Sequence, residues 1–159
     1  MKKVLVVGYG NRSRTDDGVG WFVVEQLQKN EQVHADFLIL HQLEVELAET
    51  ISHYEMIIFV DAATAQNPQL VTRKEVLPTL QGHAVTHYFT ASDLLALCQS
   101  LYHRLPHGAL FSIRGEDFNF GATLSPSTER AALDVVRQIT RLIHSLQAQP
   151  NIQAQGYHA

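Results

Sequence analysis

The sequence predicts an α/β fold: a single domain on a doubly wound, mostly parallel, twisted sheet of about five strands, with helices on both faces. Three observations carry this. Val4-Leu5-Val6-Val7, Phe37-Leu38-Ile39-Leu40 and Met56-Ile57-Ile58-Phe59-Val60 are short apolar runs of the kind found in strands buried on both faces. Stretches of helical spacing separate them, giving the order βαβαβ, and parallel strands need such crossovers. A length of 159 residues is that of one domain with one core.

The first strand hands over at Gly8-Tyr9-Gly10-Asn11 to a helix whose apolar face is Val19, Phe22, Val23 and Leu27. After the second strand, Leu43, Leu47 and Ile51 recur at intervals of four and predict a second helix. The third strand closes on Asp61-Ala62-Ala63. Gln66-Asn67-Pro68 is a turn, and Val71 to Leu77 alternates as a strand, with Arg73, Lys74 and Glu75 placing it at an edge. Thr90-Ala91-Ser92-Asp93 has the form of a capping box, opening a third helix through Leu94, Leu97, Cys98 and Leu101 to about Tyr102. Pro106 and Gly108 break the chain before a strand at Ala109 to Ile113, which Phe118-Asn119-Phe120-Gly121 is expected to extend or pair with. Ser125-Pro126 opens the last helix, with Leu133, Val136, Ile139, Ile143 and Leu146 as its expected buried face. The domain spans residues 1–147, and the polar, Gln-rich stretch 148–159 reads as a flexible tail.

Composition narrows the functional classes. Hydrophobic residues make up 45% and charged residues 18%, and a net charge of −4 with a pI near 6.1 gives no basic footprint for nucleic acid. No apolar run approaches the roughly 20 residues that span a bilayer. The single cysteine, Cys98, has no internal partner and lies on an apolar stripe as a small buried hydrophobe. The N-terminus leads directly into a strand without a signal-peptide pattern, so the expected location is cytoplasmic. With no surplus apolar helix face, the expected state is a monomer.

The chemistry-bearing residues gather, on this topology, at the carboxyl edge of the sheet, where ligands of open α/β folds bind. Asp16 and Asp17 follow the first strand, Asp61 ends the third, and His87 lies in Ala84-Val85-Thr86-His87, leading into the third helix. Two carboxylates and an imidazole suit a divalent transition metal such as nickel or zinc, and three protein ligands leave coordination positions open. Simpler roles stand beside this one. Asp16 or Asp17 can cap the first helix, Asp61 can form a turn or cap a short helix, and His87, one of nine histidines, can be a surface or core residue. Gly8-x-Gly10 also opens a dinucleotide-binding fingerprint, but Ser13 occupies its third position and the two acids would repel phosphate. Neither a His-Glu-x-x-His helix nor a Gly-x-Ser-x-Gly elbow is present.

In chain order, Gly8-Tyr9-Gly10-Asn11, Asp16-Asp17-Gly18-Val19-Gly20, Phe59-Val60-Asp61-Ala62, Thr86-His87, Gly115-Glu116-Asp117-Phe118 and Leu124-Ser125-Pro126 resemble the nickel-iron hydrogenase maturation endopeptidases, over about residues 3–146. His41-Gln42-Leu43 followed by Glu46-Leu47-Ala48 is similar to the branch serving soluble, bidirectional-type hydrogenases. The resemblance implies a compact α/β endopeptidase acting on the nickel-loaded large-subunit precursor, from which it removes a C-terminal extension. It implies Asp17, Asp61 and His87 as the metal-binding and catalytic residues, with nickel supplied by the substrate.

Gly10, Asn11, Asp16 and Gly18 are expected to support the site or bind substrate. Asp16 would orient its loop or act as a base, and Asn11 would donate to an oxyanion or lock the glycine turn. Arg12-Ser13-Arg14 departs from the family pattern, in which an apolar residue is common near Ser13. The two arginines are expected to be exposed, either docking an acidic or carboxylate-bearing end of the substrate or standing as solvated loop charges. The alternative functions are a noncatalytic nickel-site docking protein or metallochaperone, and a nucleotide-binding α/β module.

Overall fold

Strand β1 (Val4–Tyr9) is the pivot of the sheet, with β2 (Asp36–Leu40) on one side and β3 (Met56–Ala63) on the other, both parallel to it. The computed structural model describes residues 1–79 and 89–148. Beyond β3 lie β4 (Val71–Val76) and β5 (His107–Arg114), giving the order β2-β1-β3-β5-β4. β5 is parallel to β3, and β4 lies at the edge, as its charged run predicts, and pairs antiparallel with β5.

The doubly wound arrangement follows from strands that are apolar on both faces. Val4, Val6, Ile58, Val60, Phe111 and Ile113 face one helical layer, formed by α1 (Val19–Gln28) and α4 (Pro126–Ala148). Leu5, Val7, Ile57 and Phe59 face the other, formed by α2 (Leu47–Ile51) and α3 (Ala91–Tyr102). The chain leaves β1 through α1 toward β2, then returns through α2 past β1 to β3. This reversal of direction opens a crevice between the carboxyl ends of β1 and β3, the switch point at which such sheets bind ligands. α1 packs close enough to the sheet that a Cβ on Gly20 would lie 2.6 Å from the Val60 carbonyl oxygen and 2.9 Å from the Tyr9 nitrogen. Among the described residues no helix is long and apolar enough to cross a membrane.

Several local expectations are corrected. Of the expected face of α4, Ile139 and Ile143 are buried and Val136 and Leu146 partly so, but Leu133 is exposed, and Thr128, Ala131, Ala132 and Val135 complete the buried side. The alanines let α4 approach α1 closely, which turns the bulkier leucine outward. α3 runs through Leu101 to Tyr102 as expected, with Leu101 exposed near its end. Leu43 is buried but precedes α2, and β5 starts earlier than expected, absorbing Gly108 where a Cβ would press on Leu95 and Val76. Phe118–Gly121 neither extends β5 nor pairs with it. Gly121 instead makes an isolated parallel bridge to Arg14 in the loop after β1. Ala148 is the last residue of α4, and the expected tail beyond it lies outside the described residues.

Candidate active site

After β1 the chain reverses at Gly10, whose φ of 145° favours glycine and where a Cβ would collide with the Asp17 carbonyl oxygen. The Asn11 side chain accepts a hydrogen bond from Ser13 N at 2.9 Å, closing an Asx turn. Of the two roles read for Asn11, this is the turn-locking one. The Asn11 backbone N–H donates to Asp17 Oδ2 at 2.7 Å, so the glycine turn holds the Asp17 carboxylate. At Gly18 a Cβ would come within 3.2 Å of Arg12 Cα, packing the two ends of the loop together. A short 3-10 turn, Thr15–Gly18, precedes α1, whose N-cap is Gly18 with no side-chain cap. Neither acid therefore caps α1, because that turn carries both carboxylates to other partners.

Asp16 is completely buried and joins two loops. Its Oδ2 accepts from Glu116 N at 2.8 Å and Asp117 N at 2.9 Å, and its Oδ1 from Ser125 N at 2.7 Å. Its own N–H donates to the Asp117 carbonyl at 3.0 Å. Burial alone would raise the Asp16 carboxyl, but these amides outweigh it and hold the group below the usual carboxylate range. The contacts are those of a group that orients its loop.

Asp61 stands inside β3, so it neither forms a turn nor caps a helix. Ser112 Oγ donates to its Oδ1 at 2.6 Å, and the Tyr9 hydroxyl donates to its Oδ2 across a longer 3.3 Å. Burial raises the Asp61 carboxyl above its ordinary value, with Ser112, Tyr9 and Lys74 offsetting part of the rise and the Asp17 charge adding to it. Burial, followed by the neighbouring Asp61, pushes the Tyr9 phenol upward, so it stays protonated and acts as the donor. A cleft opens beside this group, lined by Tyr9, Asp61, Lys74, Leu77, Phe89 and Thr90.

Tyr9 and Ser112 escape the sequence reading, although a signal exists: each is the polar residue in an otherwise apolar strand, Val4–Tyr9 and Ala109–Ile113. His87 lies outside the described residues. Among the described residues no three His, Cys, Asp or Glu side chains converge as a metal site. The described pair supplies carboxylate oxygens, which accept a divalent ion and need further donors to enclose it.

Arg12 and Arg14 are exposed, as expected, but each is backed by an aromatic ring. Arg12 lies 5.4 Å from the Trp21 ring and 3.5 Å from Glu25, while Arg14 stacks 3.9 Å over Phe120. The amides that a phosphate would need are already donated within the protein. Gly10 N binds the Leu40 carbonyl, Asn11 N binds Asp17 and Ser13 N binds Asn11, which counts against a dinucleotide cradle.

No protein-family model and no curated protein matches the sequence. Solved structures do match. Hydrogenase maturating endopeptidase HybD from E. coli superposes with a TM-score of 0.72 at 18% identity, over 90% of this chain and 93% of that one. The [NiFe] hydrogenase maturation protease HycI from Thermococcus kodakarensis KOD1 gives 0.68 at 19% identity, over 90% and 93%. Hydrogenase 2 maturation peptidase from Thaumarchaeota archaeon SCGC_AB-539-E09 gives 0.67 at 24% identity, over 90% and 99%. At these identities the likeness establishes a shared fold, and it extends over nine-tenths of the chain.

Proposed function

We propose that this chain belongs to the nickel-iron hydrogenase maturation endopeptidases and removes a C-terminal extension from a large-subunit precursor after nickel insertion. The observation that carries this reading is the placement of Asp17 and Asp61. They stand at the carboxyl ends of β1 and β3, on either side of the switch point, in a fold shared with proteins named as hydrogenase maturation proteases. The likeness of His41-Gln42-Leu43 and Glu46-Leu47-Ala48 to the soluble, bidirectional-type branch supports a precursor of that hydrogenase class. The enzyme is read as a cytoplasmic monomer.

In this mechanism Asp17, Asp61 and His87 engage the nickel that the precursor already holds in its cysteines, so that the metal belongs to the substrate. Such a metal supplies Lewis-acid polarisation of the scissile carbonyl, or a bound water acidic enough to attack near neutral pH. The protein's part is placement. The Gly10 reversal and the Asn11 amide hold Asp17, the Asp16 contacts tie its loop to residues 116–125, and β3 presents Asp61 to the cleft. Three protein ligands form an incomplete cage, so the free enzyme is expected to bind metal weakly.

Intact mass of a nickel-loaded precursor before and after incubation tests the reading. The parent protein is expected to remove the C-terminal segment, while Asp17→Asn and Asp61→Asn leave it in place and keep the parent's circular dichroism. A precursor left at full mass but bound by the parent protein would identify a noncatalytic docking protein or metallochaperone. Normal cleavage by Asp17→Asn would end the role assigned to that residue.

A further inference from the structure

Three strands contribute one row of side chains to the sheet face that α2 and α3 cover. Val7, Phe59 and Leu110 are register partners across β1, β3 and β5, and they lie on the same apolar face as Leu5 and Ile57. One step further along that face, Tyr9 and Ser112 flank Asp61, with Ser112 its register partner on β5. Packing does not require these hydroxyls, since neighbouring rows of the face are filled by hydrocarbon. Each instead donates to a different oxygen of one carboxylate.

An ionised carboxylate has about four acceptor positions on its two oxygens. One donor on each oxygen fixes the plane of the group and leaves further positions for a ligand. We propose that Ser112 and Tyr9 are positioning residues that hold Asp61 in a single orientation toward the substrate's metal ion. Ser112 at 2.6 Å is the stronger member and Tyr9 at 3.3 Å the weaker. Orienting partners of this kind tune metal sites through the ligands they hold, typically by about 10–100-fold in affinity or activity. The inference rests on the reading of Asp61 as a metal-binding residue.

Calorimetric titration with Ni²⁺ alone tests it, on the parent protein, Ser112→Ala, Tyr9→Phe, Ser112→Thr, Asp61→Ala and the Ser112→Ala/Asp61→Ala double variant, with thermal midpoints measured alongside. Ser112→Ala is expected to weaken Ni²⁺ binding about 10-fold, and Tyr9→Phe by less, both with little change in midpoint. Ser112→Thr keeps a hydroxyl and is expected to keep the parent affinity. In the Asp61→Ala background, removing the Ser112 hydroxyl is expected to change nothing further.

Parent affinity in both hydroxyl-deleted variants, while Asp61→Ala loses binding, overturns the proposal and leaves Asp61 as a ligand. So does a parent protein that binds no Ni²⁺, or one that binds it equally well without Asp61. The precursor-cleavage assay reports separately. A parent that binds Ni²⁺ through a hydroxyl-dependent Asp61 yet leaves the precursor uncut overturns the proposed function and keeps the positioning role.

Discussion

Replacing Asp16 with Asn turns one buried acceptor oxygen into an N–H donor that faces a backbone N–H. Whichever way the amide turns, it meets either Ser125 N or the pair Glu116 N and Asp117 N. Leaving such donors unsatisfied costs on the order of 3 kcal/mol. The pH dependence follows from the direction of the shift. Asp16 is held below its ordinary value in the folded protein, so its contribution is complete above the unfolded pKa of about 3.9 and is lost as pH falls through the lower folded value. Urea denaturation should show a parent-to-Asp16→Asn gap that is constant between pH 7 and about pH 5 and shrinks below about pH 4. A gap that stayed constant down to pH 3 would show that the ionised carboxylate is not what the loop amides need. At this scale the sequence exposes positions better than partners. Asp61 is recognisable because it stands where an apolar strand run gives way to a carboxylate, and Asp17 because it lies in the turn between the first strand and the first helix. The partners of Asp16 lie 100 to 109 residues away, and no local spacing encodes a contact of that span.

Helix α3 opens with the capping box that its sequence announces. Thr90 Oγ1 accepts from Asp93 N at 3.1 Å, and Asp93 Oδ2 accepts in return from Thr90 N at 2.9 Å. Thr90→Ala removes the hydroxyl half of this exchange and should cost about 1 kcal/mol. In a domain of this size that corresponds to a fall in thermal midpoint of about 2–4 °C. Asp93→Ala removes the other half of the same exchange. A midpoint unchanged in both variants would mean that the first turn of α3 is held by its packing alone. Caps are legible because their partners are three residues apart. The buried face of α4 is less so, since Leu133 and the true stripe of Ala132, Val135, Ile139 and Ile143 both fit helical spacing. Close packing of small residues against α1 decides between them, and that information sits in another element. The segment 118–121 is misread for a related reason. Its neighbour in space is the loop after β1, brought there by the Asp16 contacts and the Arg14–Gly121 bridge.

At the scale of the whole molecule, both helical layers share one sheet, and consecutive residues of β3 serve opposite sides. Ile58 and Val60 pack under α1 and α4, while Ile57 and Phe59 pack under α2 and α3. Neither layer can lose its packing without removing support from the strand that backs the other, so the domain should unfold as one cooperative unit. Trp21, the only tryptophan, makes this measurable. It lies on α1, and its indole N–H donates to the carbonyls of Gly10 and Leu40, so its fluorescence follows the loop that carries Asp17. Leu94 is fully buried in the opposite layer, and Leu94→Ala should destabilise the protein by about 2–5 kcal/mol. In one cooperative unit the Trp21 fluorescence transition moves as far as the far-UV circular dichroism transition, although the substitution lies across the sheet. A fluorescence transition that stayed in place while the circular dichroism shifted would divide the molecule into two units. It would also free the candidate active site from the layer formed by α2 and α3, a separation that the shared β3 strand argues against.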